Sequence, residues 1–465
     1  MRSGFDRKNI DASVRPQDDF FQFAVGGWLK QNPIPATESR WGSFAVLRDE
    51  TWSALHRILA QIARRPARPG SEPAKLRNFY RTAMDERARE RQGITPLKKY
   101  FTIIDRIDSR RAFFRTLGEL HAMGIYPFWT PVVDQDEKQS EAVVFHLWQA
   151  HLVMPDRDYY LKTDRRSRAI REQYRAYIAR MLALTGERRR ASEAIRVIMA
   201  IETALARVSR PRHALRDAEK QYHKMTPRSL MQRAPGIDWP AYFAAAGLPR
   251  LGYLIVGQPE FFRAVGRMAA RVSLDDLRTY LRWYLLNHSA GFLSRKFVRE
   301  RFRFHSTTLT GTTRMKPLWK MVTMTIDGVM GEALGKIYVR EYFKSRAKAR
   351  IDELVRRVVA AYARRIRQLD WMSAGTKRRA LAKLAAIRRK IAHPKRWRDY
   401  RRLEMGMDSY LENFFQARRF EHRREVAKIG RPLDRSEWFM TPPTVNAYYA
   451  PSLNEIVFPA GILQP

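Results

Sequence analysis

The chain has 465 residues, 45% of them apolar and 12% aromatic, enough for two or three packed domains and against global disorder. It has no cysteine, which excludes a disulfide framework, thiolate zinc ligands and a cysteine nucleophile. Lys and Arg number 88 against 47 Asp and Glu, a formal charge of +41, so a polyanion partner has to be weighed against solvated, Arg-rich helix faces.

The first residues, MRSGFDRKNIDASVRPQDD, contain no apolar signal core, and no later run is long and apolar enough to span a bilayer. Nothing in the chain anchors it to a membrane. Localisation stays open: cytoplasmic as written, periplasmic or secreted if an upstream signal has been lost. Amphipathic stripes then predict helices at 43–65, 171–186, 191–208 and 274–288. The clearest stripe is 351–369, where Ile351, Leu354, Val355, Val358, Val359, Tyr362, Ile366 and Leu369 form one face expected to pack. Gly186 reads as a helix stop and Ser373 as an N-cap.

Residues 377–402 hold twelve basic residues and one acidic residue. Ala380, Leu381, Leu384 and Ile387 recur there at helical spacing, which favours a helix with a solvated basic face over a nucleic-acid site. The last forty residues change character. Prolines punctuate two strand-like runs, VNAYY (445–449) and EIVF (455–458), which read as a hairpin with little cover of its own and therefore as the least stable part of the chain.

None of the ten histidines is followed by Glu, and no two stand four apart, so the His-Glu-x-x-His helix of many zinc peptidases is missing. His146 and His151, five apart, would diverge on a helix. No nucleophile elbow or phosphate-binding glycine loop occurs either. The motifs taken alone contain no complete active site.

Read segment by segment, the chain carries RPQDDFFQFAVGGWLKQNPIPATESRWGSFAVLRDE (15–50), MPDRDYYL (154–161), GQPEFF (257–262), DGVMGEALGKIYVREYF (327–343), DWMS (370–373), DRSEWFMTPPTVNAYY (434–449) and NEIVFPAGILQP (454–465). On these segments and their order it resembles the neprilysin-like (M13) zinc metallopeptidases. It implies a mainly α-helical fold, with a large multi-helix lobe and the first strands of a thermolysin-like α+β catalytic lobe that is incomplete here. The implied division is 1–400 helical, with 1–50 packing near the catalytic lobe, 401–433 connecting, and 434–465 opening the catalytic domain.

The resemblance further implies cleavage of oligopeptides on the amino side of hydrophobic residues. The zinc ligands and catalytic Glu would lie after Pro465, so this chain is expected to be truncated, to hold no zinc and to be inactive alone. Of the family's residues only substrate contacts carry over. Asn446 and Ala447 match the edge-strand pair that hydrogen-bonds the substrate backbone. Arg40 and Arg48 match two arginines, of which Arg40 would bind a substrate C-terminal carboxylate. Phe44 and Ile462 match positions lining the pocket for the residue after the cut. Two alternatives stay open: a non-catalytic peptide-binding relative, and a basic helical polyanion-binding protein.

Overall fold

The computed structural model describes residues 6–150 and 152–464. Helices α1 (Phe20–Gln31), α2 (Ser43–Arg64), α3 (Glu72–Met84) and α4 (Arg110–Ala122) open the chain. Strands β1 (Trp129–Gln135) and β2 (Val143–Gln149) precede α5 (Arg165–Leu184) and α6 (Ala191–Val208). Then come β3 (Lys224–Met225), α7 (Trp239–Ala245), β4 (Leu254–Val256) and α8 (Leu274–Ser289). The last part holds α9 (Leu318–Tyr342), α10 (Ser345–Gln368), α11 (Ala374–Ala385), β5 (Arg388–Ala392), α12 (Tyr410–Val426), β6 (Tyr448–Ala450) and β7 (Glu455–Pro459). Further helices fill the connections, the fold is mostly helical, and among the described residues no helix is long and apolar enough to cross a membrane.

The predicted helices form where apolar spacing demands them. α2 buries Ala54, Leu55, Ile58 and Leu59, and α6 buries Val197, Ile198, Ile201 and Leu205, each set three or four residues apart. Gly186 takes a positive φ of 88° just past α5, and the Ser373 side chain accepts the Thr376 N–H at the start of α11.

Two apolar cores result. The first gathers residues 97–304 around Trp129, Tyr174, Tyr177, Trp239 and Trp283; the second joins α2, α3 and α9 with Ile391, Tyr400 and Ala460. α12, within the stretch read from sequence as connecting, serves both. It places Leu411 and Phe415 in the first core and Tyr410, Ala417 and Phe420 in the second.

The first core also contains a carboxyl group with no cation beside it among the described residues. Glu202 is fully buried and accepts the hydroxyls of Tyr160 and Tyr174 at 2.8 and 3.0 Å. Burial raises its pKa from 4.5 to about 7. The folded pKa lies above the unfolded one, so the stability this group contributes is complete below pH 4.5 and is lost as pH rises through 7. Glu202→Gln should therefore gain on the wild type by about 3 kcal/mol between pH 4 and pH 8. Paired thermal melts across that range check this, and a constant difference would contradict it.

The body is mostly helical as expected; it also holds a sheet, and two expectations, for the basic stretch and for the α10 stripe, are corrected. The helical body contains a four-stranded sheet of order β1-β2-β4-β3, in which β2 pairs antiparallel with β1 and parallel with β4. His146 thus sits on a strand, and His151 lies outside the described residues. The basic stretch 377–402 is not one helix: α11 ends at Ala385, and β5 follows and pairs in parallel with β7. The α10 stripe is only partly packed, with Val355 its one buried member.

The C-terminal residues are not a lone hairpin. β7 is the central strand of a sheet ordered β5-β7-β6, and Val457 and Ala460 are fully buried. Buried Glu455 pairs with Lys390 of β5 at 2.5 Å. The approach to this sheet depends on two glycines of α9. A Cβ at Gly331 would stand 2.3 Å from Thr441 Cγ2, and one at Gly335 2.9 Å from Pro442 Cδ. Only a bare helix surface lets the Thr441-Pro442-Pro443 segment lie this close. Met330, beside that crossing, leaves helical geometry and kinks α9.

Candidate functional site

The loop before α2 is pinned from below. The Thr313 and Arg314 amides donate to the Ala36 carbonyl at 3.2 and 3.0 Å. Lys316 Nζ donates to the Thr37 carbonyl at 2.8 Å and pairs with Glu38, while Lys320 pairs with Asp49. The loop is therefore fixed by backbone bonds and the half-buried Lys316–Glu38 pair, and Arg40 rises from it exposed, with no ion pair among the described residues.

α2 begins at once, placing Phe44 in its first turn with 58% of its surface exposed. One turn on, the Arg48 guanidinium lies over Trp52, 5.1 Å from the ring centroid, and its Nε is buried without an acceptor. Such a donor favours an incoming oxygen at this spot. The ring of Trp52 is also 5.2 Å from Lys320 Nζ, whose charge is paired with Asp49.

β6 supplies the second wall. The strand predicted at 445–449 starts only at Tyr448, so Asn446 and Ala447 lead into it instead of lying within it. The Asn446 side chain is exposed, and its Oδ1 accepts the Ala447 N–H at 2.9 Å. β6 is antiparallel to β7, with Tyr448 opposite Val457, and its other side is an open edge among the described residues. The Tyr448 ring stacks on exposed Phe439, and its hydroxyl accepts the Phe439 N–H at 2.9 Å.

Ile462 lies in the turn between these elements. It is half-buried in a tight turn, Ala460–Leu463, that follows β7 and packs against α2. The Gly461 N–H donates to the Pro442 carbonyl at 2.8 Å, which ties this turn to the segment leading to Asn446. Through that turn the fold joins α2, which bears Phe44 and Arg48, to the segment that carries Asn446 and Ala447 into β6. Arg40 remains separate, on the pinned loop.

Sequence reasoning missed Asp327. It lies on α9 where the C-terminal segment crosses, and its carboxylate accepts the Thr441 hydroxyl at 3.2 Å. Burial raises its pKa to about 6. The signal was present in DGVMG, whose glycine spacing marks a close crossing.

A cavity of about 1130 Å³ lies elsewhere, between α12, the 394–402 loop and the 431–439 segment. Its charges are largely paired among themselves: Arg398 with Glu332 and Glu421, Arg424 with Glu421 and Glu437, Lys428 with Glu425 and Glu437. None of the six substrate candidates lines it.

The described residues do not fit a zinc ion: among them no group of three or more His, Asp or Glu could hold a metal. Several histidines have other partners, His121 the Tyr242 hydroxyl, His146 the Gln135 carbonyl and His422 the Ala246 carbonyl.

Comparison with known proteins places these observations in a family. Residues 16–394 match the family model described as Peptidase family M13. Endothelin-converting enzyme 1 of Rattus norvegicus is 30% identical over 479 residues, 98% of this chain and 62% of its own length. An endothelin-converting enzyme homolog of Locusta migratoria is 28% identical, over 98% of this chain and 66% of its own. The chain thus spans less than two thirds of the length of these relatives. The zinc metalloprotease ZMP1 of Mycobacterium tuberculosis, solved in complex with an inhibitor, superposes over all of this chain and 70% of its own, with a TM-score of 0.95 and 37% identity. With the family model covering most of its length and the fold shared throughout, the chain belongs to peptidase family M13.

Proposed function

We propose that this chain is the peptide-holding part of a neprilysin-type zinc metalloendopeptidase. An extended oligopeptide adds to the open edge of β6, its backbone hydrogen-bonded by the Asn446 amide and the Ala447 carbonyl. The side chain after the scissile bond lies between Phe44 and Ile462, and the substrate C-terminus reaches Arg40, with Arg48 in support. An edge strand offers unpaired backbone groups to a peptide, and Asn supplies both a donor and an acceptor. The apolar pair accounts for a preference for cleavage on the amino side of hydrophobic residues. In this reading 434–465 opens the catalytic domain, the helical remainder precedes it, and the zinc ligands and catalytic Glu come from outside these 465 residues. The chain by itself is therefore inactive.

The observation that carries this reading is an exposed Asn446 leading into an unpaired edge strand, joined through the Ala460–Leu463 turn to α2. Fluorescence anisotropy with a labelled hexapeptide tests it. Asn446→Ala should weaken binding by about 1 kcal/mol, roughly fivefold, the scale of one hydrogen bond. Unchanged affinity would remove Asn446 from the site. Binding with no cleavage even when the zinc-bearing part of a relative is supplied would favour a non-catalytic peptide-binding protein.

A further inference from the structure

A cavity of about 410 Å³ opens between the end of α3, the short helix Glu86–Gln92 and the 407–410 segment that leads into α12. Its size suits a small molecule. Gln92 Nε2 donates to the Asp408 carbonyl at 2.6 Å and ties its two sides together. None of the six substrate candidates lines it, so its occupant is separate from the peptide held at β6.

Arg89 forms one wall. The side chain is buried, and no carboxylate pairs with it among the described residues. Its Nη1 donates to the Ala83 carbonyl at 3.3 Å, and its Nη2 to the carbonyls of Gly291 and Leu293 at 3.4 and 2.8 Å. Those three bonds use three of the five guanidinium N–H groups, and Nε is among the rest, buried with no acceptor. A buried charged donor left in this way is costly until an oxygen reaches it. Asp85 stands four residues earlier, the spacing at which Asp and Arg pair on a helix. Here Arg89 turns to the 291–293 carbonyls instead, while Asp85 caps the helix, its Oδ1 accepting the Ala88 N–H at 2.8 Å. Neither charge neutralises the other.

The lining as a whole carries both signs. Asp85 and Asp408 stand against Arg81 and Arg89, and none of the four makes an ion pair among the described residues. An anion would meet two carboxylates here and a cation two guanidiniums, whereas a zwitterion satisfies both signs. Met84, Met407 and Tyr410 add apolar surface. We infer that this cavity binds a small zwitterion of the amino-acid class with an apolar side chain. Its carboxylate lies on Arg89, its ammonium group on Asp85 and Asp408, and its side chain against Met84, Met407 and Tyr410. Tyr410 belongs to the second core and Leu293, which Arg89 holds, to the first, so an occupant braces the junction of the two.

Isothermal titration of the full chain with L-leucine, N-acetyl-L-leucine and L-leucinamide tests this. L-leucine should bind saturably and raise the thermal midpoint. Each blocked analogue lacks one of the two charges and should bind roughly tenfold more weakly. The double variant Asp85→Asn, Asp408→Asn keeps an oxygen for the Ala88 N–H, so without ligand its midpoint should match the wild type. It should lose about tenfold in affinity for L-leucine and hold N-acetyl-L-leucine as the wild type does, because that analogue has no ammonium group to lose. Hydrogen exchange should place the protection gained with L-leucine in 84–92 and 407–410. No saturable binding of L-leucine, equal binding of the three compounds, or a double variant that binds L-leucine as the wild type does would overturn the proposal. So would inorganic phosphate binding as tightly as L-leucine, which makes this an anion site. Protection gained at 445–450 instead would assign the amino acid to the peptide edge and overturn it as well, while leaving the peptidase reading in place.

Discussion

Deleting residues 434–465 should unfold the second core and leave an aggregating chain, not a trimmed stable body. The deletion removes β7, the central strand of its sheet, and with it the only described partner of β5. It also strips buried Trp438, Val457 and Ala460 and leaves Lys390 of β5 without Glu455. Trp438, Val457 and the equally buried Leu453 each contribute about 2 kcal/mol, so the loss reaches the lower end of a domain's stability of about 5–15 kcal/mol. A single substitution should act in the same direction. In Gly461→Val the new Cβ would stand 2.2 Å from the Pro443 carbonyl oxygen, a backbone atom that cannot step aside. Circular dichroism melts and limited proteolysis check both variants. A deleted chain that kept its thermal midpoint and its protease-resistant body would show that the C-terminal residues rest on the fold without supporting it.

The second large effect concerns Arg40. Arg40→Lys should weaken peptides with a free C-terminal carboxylate by about 1 to 3 kcal/mol, roughly five- to 150-fold, and leave C-terminally amidated peptides nearly unchanged. The guanidinium is exposed and unengaged among the described residues, on a loop held by Ala36, Thr37 and Glu38, so little of the loop's own structure depends on it. A planar fork grips a carboxylate through two parallel bonds, which an ammonium does not reproduce. Titrating matched acid and amide peptides against both proteins gives the result directly. Equal losses for the two peptides would mean that Arg40 supports the loop and does not read the substrate.

How much of this was legible depended on distance along the chain. α2, α6 and α8 were readable because a helix declares itself within one apolar stripe, and the Ser373 cap and Gly186 stop are local chemistry. β1 and β2 were not, because VVFHLWQ is a short, nearly continuous apolar run without strict alternation, and β2's second partner, Leu254–Val256, is over a hundred residues away. β5 was hidden by its charge: RRKIA continues the basic pattern of α11, and its partner β7 comes only at Glu455. The bare face of α10 was unreadable for a different reason. A stripe shows that a face is apolar, and nothing local says what covers it. At the candidate site the residues came from family motifs, while the join between α2 and β7 through the Ala460–Leu463 turn emerged only from the fold.

Hydrogen exchange of the isolated chain with and without a saturating hexapeptide tests the central claim most directly. If this chain holds substrate along the open edge of β6, amides in 445–450 gain protection with peptide, and Asn446→Ala removes most of that gain. Protection confined to the 377–402 stretch or to the cavity beside α12, with 445–450 exchanging as in the free protein, would contradict it.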